Sequence, residues 1–288
     1  MTVRGACDCH VHVIGAVDAY PQEPGRAYTA APASLAALEQ AAAASGVSRF
    51  VIVQPSFYGT DNRCTLEALD ALAGRGRGVA VVDPATVTAA ELRDLETRGV
   101  RGLRINLYST VRGSLARRLE DRLNPLTAIA ARMGWHVQVL APADTLIDAT
   151  MLIEDAEVPV VIDHYGLPTG LDPNSVEGGQ LLSLFALPHV WVKLSAPYRV
   201  TEDPLATTPP PGWVGAMLSV APDRCVWGSD WPHTPVRQHG EGAPVDLPHR
   251  AIAYDRLFGD IVAALGDDAR RVLVSNPEAL YGFDTGAD

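Results

Sequence analysis

The stretch Ala6–Ile14, ACDCHVHVI, is the first of eight short, β-branched runs that recur along the chain. The other seven runs are Arg49–Ser56, Gly76–Pro84, Val100–Leu107, Trp135–Ala141, Pro159–Gly166, Val190–Pro197 and Cys225–Pro232. Each run has the length of a strand, and a stretch with helical spacing follows it. Strands that alternate with helices pair in parallel through crossover connections. Eight such units predict a closed (β/α)8 TIM barrel of the α/β class.

The intervening stretches place apolar residues at helical spacing, and glycine follows several of them, as at Gly46 and Gly134. The predicted helices are Leu35–Ser45, Cys64–Ala73, Ala89–Arg98, Ser114–Met133, Asp144–Asp155, Val176–Leu187, Gly212–Val220 and Leu247–Leu265. A last helical stretch, Asp267–Tyr281, is expected as an extra C-terminal helix across the outside of the barrel. Since no Gly/Ser-rich linker divides the chain, residues 1–288 are predicted to form a single domain.

Three long segments rich in Pro and Gly follow predicted strands, at Gly15–Pro32, Tyr198–Pro211 and Pro232–Asp246. They therefore fall on the C-terminal rim, where TIM-barrel enzymes build their sites. Loops of this length are uncommon unless they have a function, so we expect them to cover a pocket.

Composition excludes several classes of protein. The 288 residues carry a net charge of −11, and 47% of them are hydrophobic, which rules out a disordered chain. The acidic balance argues against a nucleic-acid partner, and no apolar run is long enough to span a membrane. The first residues lack a signal-peptide core, and the four cysteines show no metal-finger spacing, so a cytoplasmic protein with reduced thiols is expected. Oligomeric state stays open, a homo-oligomer included.

Two histidines in the first predicted strand are the first candidates for chemistry. Strand alternation places His10 and His12 on one face, pointing into the mouth of the barrel. Two imidazoles at this spacing can bind one metal ion or donate hydrogen bonds to one oxygen. The alternative is a pair of ordinary core histidines.

Two further polar residues end the sixth and eighth strands. His164 lies in IDHYG, and Asp230 lies in WGSDWP within an apolar frame. A buried carboxylate needs a partner, which a histidine, a metal ion or, alternatively, a loop amide would supply. Because the strand ends meet at one rim, His10, His12, His164 and Asp230 can converge on one point.

The motifs CDCHVHV, IDHYG and WGSDWPH, in this order over eight βα units, resemble the amidohydrolase superfamily. The closing segment Arg271–Phe283 resembles the superfamily's C-terminal helix. More narrowly, three motifs resemble the 2-pyrone-4,6-dicarboxylate lactonase group: QPSFYGTDN (Gln54–Asn62), RGLRINL (Arg101–Leu107) and VKLSAPYR (Val192–Arg199). The resemblance extends over nearly the whole chain.

The resemblance implies a barrel hydrolase in which Asp230 activates water. Metal-dependent members commonly add a lysine after the fourth strand and a histidine after the fifth, whereas this chain has Asn106 and Gln138 there. Glutamine is a poor zinc ligand, so a binuclear site is not expected. The lactonases that the chain resembles work without metal and polarise the carbonyl with histidines. We therefore expect no cofactor, with one divalent metal such as Zn²⁺ on His10, His12 and Asp230 as the alternative.

Arginines provide the second part of the functional prediction. Arg104 lies inside a predicted strand, and an arginine there needs an anion, because its charge cannot be removed. A substrate carboxylate is one such partner, and a salt bridge to Asp83 is the alternative. In the resembled lactonases the arginines matching Arg104 and Arg199 bind substrate carboxylates. For Arg199, simple solvent exposure is the alternative.

Smaller features refine the substrate prediction. Ser56, Tyr58 and Asn62 match further substrate contacts of the lactonase group. The group has another arginine shortly after the fourth strand, where this chain has Tyr108–Thr110, and Arg112 could take its place. Without that arginine, a lactone or related ester with a single carboxylate is better matched than a dicarboxylate.

The sequence thus predicts a hydrolase that opens a lactone, or a related ester, of a small carboxylic acid. The substrate is a small anion. Two alternatives remain: a metal-dependent decarboxylase of an acidic substrate, from the same superfamily, and a catalytically inactive barrel that only binds. No Gly-X-Ser-X-Gly elbow occurs, which excludes an α/β-hydrolase.

Overall fold

A computed structural model describes residues 2–24, 26, 28–107, 115–235 and 245–284. Eight parallel strands lie side by side in the order β1, β3, β4, β5, β6, β7, β8 and β9. These strands are β1 (Cys7–Val11), β3 (Arg49–Val53), β4 (Gly76–Ala80), β5 (Val100–Asn106), β6 (His136–Leu140), β7 (Val160–Ile162), β8 (Val190–Ser195) and β9 (Cys225–Gly228). The predicted (β/α)8 barrel is confirmed.

Helices connect the strands. In chain order they are α1 (Leu35–Ala42), α2 (Arg63–Leu72), α3 (Ala89–Thr97), α4 (Leu115–Met133), α5 (Ala143–Asp148), α6 (Thr150–Glu154), α7 (Val176–Ala186), α8 (Trp213–Val220), α9 (Tyr254–Leu265) and α10 (Asn276–Tyr281). Among the described residues, none of these helices is long and apolar enough to cross a membrane.

Two of the predicted rim loops contain strands that the sequence pattern missed. β2 (Tyr28–Ala30) and β10 (Val245–Leu247) form a separate two-stranded parallel sheet that links the segments after β1 and β9. Strands of three residues are too short to show alternation. The predicted helix Leu247–Leu265 is wrong in its first part, because Leu247 belongs to β10 and α9 begins only at Tyr254.

Other predicted helices are interrupted. The stretch Asp144–Asp155 is divided between α5 and α6, which meet at Ala149. The predicted C-terminal helix Asp267–Tyr281 contains a π-helical turn over Arg271–Ser275 before α10. Helical periodicity therefore located these segments without resolving their local breaks.

The barrel closes between β1 and the end of β9. The backbone N–H of Asp230 donates to the carbonyl of His10 at 2.8 Å, and the N–H of His12 donates to the carbonyl of Trp231 at 2.8 Å. Gly228 allows this close approach, because a Cβ there would lie 2.5 Å from the Cβ of His10. The closure places the first and last strands, and thus both histidines and Asp230, beside each other.

The opposite end of the barrel is sealed by the C-terminal segment. Tyr281 and Phe283 pack against a buried cluster that includes Cys7, Cys9 and Val226. Arg77 fixes the segment by donating to the carbonyl of Tyr281 at 3.1 Å. With this end filled, the strand ends at the other rim are where a substrate can enter.

Candidate active site

His10, His12 and Asp230 meet at the closure of the barrel. The Nε2 atoms of His10 and His12 lie 3.6 Å and 3.4 Å from Oδ1 of Asp230. Asp230 is fully buried, and its Oδ1 has no hydrogen-bond partner among the described residues. The convergence expected from the strand positions is therefore present.

The partners of the two imidazoles decide which nitrogen of each ring carries a proton. Nδ1 of His12 lies 2.7 Å from the carbonyl oxygen of Val53, which can only accept, so this nitrogen donates. Nδ1 of His10 lies 3.2 Å from Oδ1 of Asp163 and donates likewise. Burial lowers the pKa of His10 well below its usual value, which keeps the ring neutral. Both Nε2 atoms therefore present lone pairs to the free oxygen of Asp230.

His164 completes the group from the neighbouring side. Its ring lies 4.8 Å from that of His10, measured between centroids, and its Nδ1 lies 2.8 Å from Oγ of Ser195. Burial lowers the pKa of His164 to about 4, although Asp230 and Asp163 oppose the shift. A hydroxyl can donate to Nδ1, which leaves Nε2 of His164 as a hydrogen-bond donor.

Backbone strain is concentrated at this rim. Positive φ angles occur at His164, Tyr165, Leu167, Ala196, Asp230 and His233, all of them after β7, β8 or β9. Such angles are uncommon for residues other than glycine and persist where the surrounding structure fixes them. The strain aims His164 and Asp230 in directions that a relaxed strand end would not give.

The second oxygen of Asp230 has strong partners. Nε of Arg199 and the hydroxyl of Tyr198 each donate to Oδ2 at 2.7 Å. Burial alone would raise the pKa of Asp230, but the adjacent charge of Arg199 outweighs burial and holds the pKa well below its usual value. Asp230 is therefore an anion with one oxygen held and the other free.

Arg199 is engaged within the protein. Besides Asp230, its guanidinium donates to Oγ1 of Thr234 at 3.1 Å. The alternative of simple solvent exposure is therefore wrong. A role of Arg199 in substrate binding stays a prediction. In that role its guanidinium would contact the substrate and Asp230 at the same time.

Arg104 differs from Arg199 because no carboxylate among the described residues forms an ion pair with it. It is 6% exposed, and its one hydrogen bond to a described residue goes from Nη1 to the carbonyl of Gln54 at 2.8 Å. The alternative partner, Asp83, instead accepts a hydrogen bond from the backbone of Ala85. A buried guanidinium without a counterion is well suited to bind an anion.

The three other predicted substrate contacts lie after β3, on the same rim. Ser56 is exposed, while the Tyr58 hydroxyl accepts a hydrogen bond from the backbone of Gly15 at 3.1 Å. The side chain of Asn62 bonds the backbone of Val81 in both directions, at 2.8 Å and 3.1 Å. Tyr58 and Asn62 thus position loops, and their contacts with substrate stay predictions. Residues 108–114, with Arg112, lie outside the described residues.

A fully buried lysine lies at the centre of the barrel and was not predicted as part of the site. Nζ of Lys193 donates to Oε1 of Gln138 at 2.6 Å and to the carbonyl of Cys9 at 2.8 Å, and it lies 3.7 Å from Oδ1 of Asp163. Gln138 also donates to Oδ2 of Asp163 at 3.0 Å. Lys193 and Gln138 thus hold Asp163, which in turn orients His10. The available signal was a lone lysine, the one lysine of the chain, within the apolar strand VWVKLS.

Tyr28, on the short strand β2, was also missed. Burial raises its pKa, and it lies close enough to Arg199, Asp230 and Arg104 to interact with their charges. Tyr28 therefore lies near the three charged residues of the site, and its contact with substrate stays a prediction.

Two sets of described residues bring their ligand atoms close enough together to hold one divalent metal ion. They are His10 with His12 and Asp230, and His10 with Asp163 and His164. The first set fits Zn²⁺, because three unprotonated donor atoms meet and each histidine donates its other nitrogen to an acceptor. The second set is a poor fit, because the ammonium of Lys193 lies 3.7 Å from Asp163 and 3.5 Å from Nδ1 of His10.

Comparison with known proteins shows the family to which this chain belongs. The amidohydrolase family model matches residues 7–283. A 4-sulfomuconolactone hydrolase from Rhizobium radiobacter is 32% identical over 286 residues, which cover 97% of this chain and 90% of that protein. A 2-pyrone-4,6-dicarboxylate hydrolase from Comamonas testosteroni is 32% identical over 295 residues, covering 96% and 90%.

A solved structure from Pseudomonas putida, provisionally named a 2-pyrone-4,6-dicarboxylic acid hydrolase, agrees in fold. It superposes with a TM-score of 0.78 at 28% identity and covers 98% of this chain and 99% of that one. The match to the family model, the two curated relatives and the shared barrel lead to one conclusion. This chain belongs to the amidohydrolase family and is a hydrolase.

Proposed function

We propose that this protein hydrolyses a lactone, or a related ester, of a small carboxylic acid. Two relatives at 32% identity are named as lactone hydrolases, which supports this reaction class. The observation that carries the proposal is the position of Asp230, whose Oδ1 lies 3.6 Å from Nε2 of His10 and 3.4 Å from Nε2 of His12. Arg104, which forms no ion pair with a described carboxylate, lies on the same rim. A base beside imidazoles and an anion-binding group is what opening a charged lactone requires.

In the proposed reaction, Asp230 acts as the base. Its free Oδ1 takes a proton from a water molecule, and the water oxygen bonds to the carbonyl carbon of the substrate. The carbonyl oxygen becomes an oxyanion, the bond to the ring oxygen then breaks as the oxyanion collapses, and the ring oxygen takes up the proton that Asp230 had accepted, which restores the Asp230 carboxylate. The products are the carboxyl group and hydroxyl group of one hydroxy acid, so the atoms balance with one water consumed.

The three histidines have different roles in the proposed reaction. His164 can polarise the carbonyl by donating from Nε2, because Ser195 satisfies its Nδ1. His10 and His12 present lone pairs, so they can accept hydrogen bonds from the attacking water and orient it. One donor to an oxyanion is typically worth about 100- to 1000-fold in rate.

Binding of a single divalent ion by the lone pairs of His10, His12 and Asp230 is the alternative to a metal-free site. His10, His12 and Asp230 are the residues that would hold it. When bound, such an ion supplies Lewis acidity toward the carbonyl and a lower pKa for its water. Arg104 binds the substrate's carboxylate in either case, because its charge has no other described counterion.

The proposal is tested by an activity screen against lactones that carry one or two carboxylates, run with and without chelator. We expect ring opening by the wild-type protein, and loss of turnover in Asp230→Asn with product binding largely retained. Asp18→Asn, an exposed carboxylate, serves as the matched control and should keep full activity.

Three results would contradict the proposal. Near-wild-type turnover by Asp230→Asn would exclude Asp230 as the base. Release of carbon dioxide that stops when metal is removed would favour the decarboxylase. Tight binding of the acids without turnover of any lactone would favour the inactive barrel.

A further inference from the structure

A cleft of about 620 Å³ lies beside the active site, on the outer side of the segment that follows Asp230. It is bounded by the segments that lead into α1 and α9, and by Trp231–His233. The lining residues are Pro32, Ala33, Ser34, Ala37, Trp231, Pro232, His233, His249, Arg250, Ala251, Ile252 and Ala253. Nothing in the proposed reaction uses this cleft.

The charge of the cleft is opposite to that of the whole protein. The chain has a net charge of −11, yet Arg250 is the charged side chain among the described residues that line the cleft, because burial lowers the pKa of His233 and of His249 and keeps both rings neutral. A basic lining on an acidic protein favours an anionic ligand.

Several polar groups of the cleft have no partner among the described residues. His233 is 2% exposed and lines the cleft, and its Nε2 has no hydrogen-bond partner there. The same holds for Nδ1 of His249 and Nε of Arg250. The guanidinium of Arg250 makes one long hydrogen bond, to the carbonyl of Pro204 at 3.4 Å, and forms no ion pair with a described carboxylate. Buried polar groups are normally hydrogen-bonded, so the buried ring of His233 with its unpartnered Nε2 favours a polar ligand in the cleft.

Helix geometry adds further donors. α1 has eight residues, and its N-cap Ser34 accepts a hydrogen bond from the backbone N–H of Ala37 alone. No side-chain hydrogen bond caps the amino terminus of α9, which begins after Ala253 and carries the exposed Asp255 in its first turn. Free N–H groups and the positive end of the helix dipole favour an oxyanion at such a position.

We propose that this cleft is a second anion site that binds a small oxyanion, either a carboxylate or a phosphate group. Arg250 supplies the permanent charge, and the first turns of α1 and α9 supply backbone donors. Nε2 of His249 donates to the carbonyl of Ala31 at 3.0 Å, and because burial lowers the pKa of this ring, Arg250 and the backbone donors hold the anion at neutral pH.

The site is close enough to influence catalysis. The guanidinium of Arg250 lies 5.2 Å from the ring centre of Tyr198, whose hydroxyl donates to Oδ2 of Asp230 at 2.7 Å. An oxyanion that draws Arg250 away from the Tyr198 ring would alter the environment of that hydroxyl. The anion site itself does not depend on lactone hydrolysis, because its test measures binding and not turnover.

The test is calorimetric titration of the full-length protein with sodium phosphate and, separately, sodium acetate, with sodium chloride as the control. We expect saturable binding of at least one oxyanion to the wild type and to Arg104→Gln, which lacks the unpaired cation of the catalytic site. Arg250→Gln should raise the dissociation constant at least about tenfold. Preference for phosphate or for acetate identifies which oxyanion the site takes.

A second variant guards against a folding defect in Arg250→Gln. Ala253→Asp places a capping carboxylate at the amino terminus of α9, where it competes with the anion, and it should abolish binding without lowering the melting temperature. The proposal is overturned if neither oxyanion binds saturably. It is equally overturned if Arg104→Gln alone removes binding, or if Arg250→Gln and Ala253→Asp bind as the wild type does.

Discussion

Nζ of Lys193 lies 3.7 Å from Oδ1 of Asp163, with both side chains fully buried at the centre of the barrel. The ammonium also donates to Oε1 of Gln138 and to the carbonyl of Cys9, so groups of the protein fix its position. Burial alone would raise the pKa of Asp163, but His10 and Lys193 outweigh it and lower the pKa. The pair therefore keeps a carboxylate anionic behind His10, where it fixes the proton on Nδ1 of that ring.

Removing the lysine charge should destabilise the protein through this pair. We expect Lys193→Met to lower the free energy of unfolding by about 3 to 5 kcal/mol, because breaking a buried charge pair leaves an uncompensated ion. Chemical denaturation measures the change. The double variant Lys193→Met/Asp163→Asn should recover part of the loss, since it leaves no isolated buried charge.

The matched control is the exposed pair of Arg98 and Asp70, joined at 2.6 Å. Arg98→Met should cost no more than about 1 kcal/mol. Additive losses in the Lys193 and Asp163 variants would show that the two charges do not interact, and would contradict the role assigned to Lys193.

Arg199 should set the pH range in which Asp230 acts as a base. Since Arg199 opposes the effect of burial on the pKa of Asp230, Arg199→Met should raise that pKa. The carboxylate would then be protonated at higher pH than in the wild type. The acid limb of kcat/KM should consequently move to higher pH, and the loss of activity relative to the wild type should grow as the pH falls.

A pH–rate profile of both proteins checks this expectation. Arg75→Met, which removes an exposed arginine paired with Glu39, is the control and should leave the profile in place. An acid limb that stays unchanged in Arg199→Met would mean that Asp230 does not limit the rate on the acid side.

Arg104 should act mainly in substrate binding. Arg104→Gln should raise KM for a carboxylated lactone by about 10- to 150-fold, the range expected for a lost charge-assisted hydrogen bond. A neutral lactone should show little change, because it has no carboxylate for Arg104 to bind. Steady-state kinetics with a matched pair of charged and uncharged lactones separates the two effects. Equal losses for both lactones would indicate a structural role.

The sequence predicted the barrel because eight β-branched runs with helical stretches between them have few other arrangements. It also placed His10, His12, His164 and Asp230 at one rim, since the ends of parallel strands must share an edge. The prediction that these four residues share a rim depends on the order and direction of the strands and needs no knowledge of loop conformation.

The rest of the site depends on contacts that no local pattern encodes. Lys193 on β8 contacts Gln138 on β6 across the intervening strand β7, and the curvature of the barrel brings the two side chains together. Arg199 turns back onto Asp230 through a short helical turn over Pro197–Arg199, which follows a positive φ angle at Ala196. Tyr28 reaches the site through β2, a strand too short to predict.

Asp8 provides a test of barrel closure. Its Oδ1 accepts from the backbone N–H of Ser229 at 2.8 Å, and its Oδ2 accepts from the hydroxyl of Tyr254 at 2.8 Å, so it joins β1 to the end of β9 and to α9. Burial raises the pKa of Asp8 from its usual 3.8 to about 6, although these hydrogen bonds oppose the shift. The folded protein thus binds a proton at Asp8 more readily than the unfolded chain does.

The contribution of Asp8 to stability is therefore fully present below about pH 4 and is lost as the pH rises through 6. Asp8→Asn removes this titration while keeping an acceptor for Ser229. We expect its free energy of unfolding, relative to the wild type, to rise by about 2 kcal/mol between pH 4.5 and pH 7. Taking the difference between the two proteins cancels the titration of the buried histidines, which both share. Urea denaturation at the two pH values measures it, and a difference that stays constant with pH would show that Asp8 is ionised with its ordinary pKa when the barrel is closed.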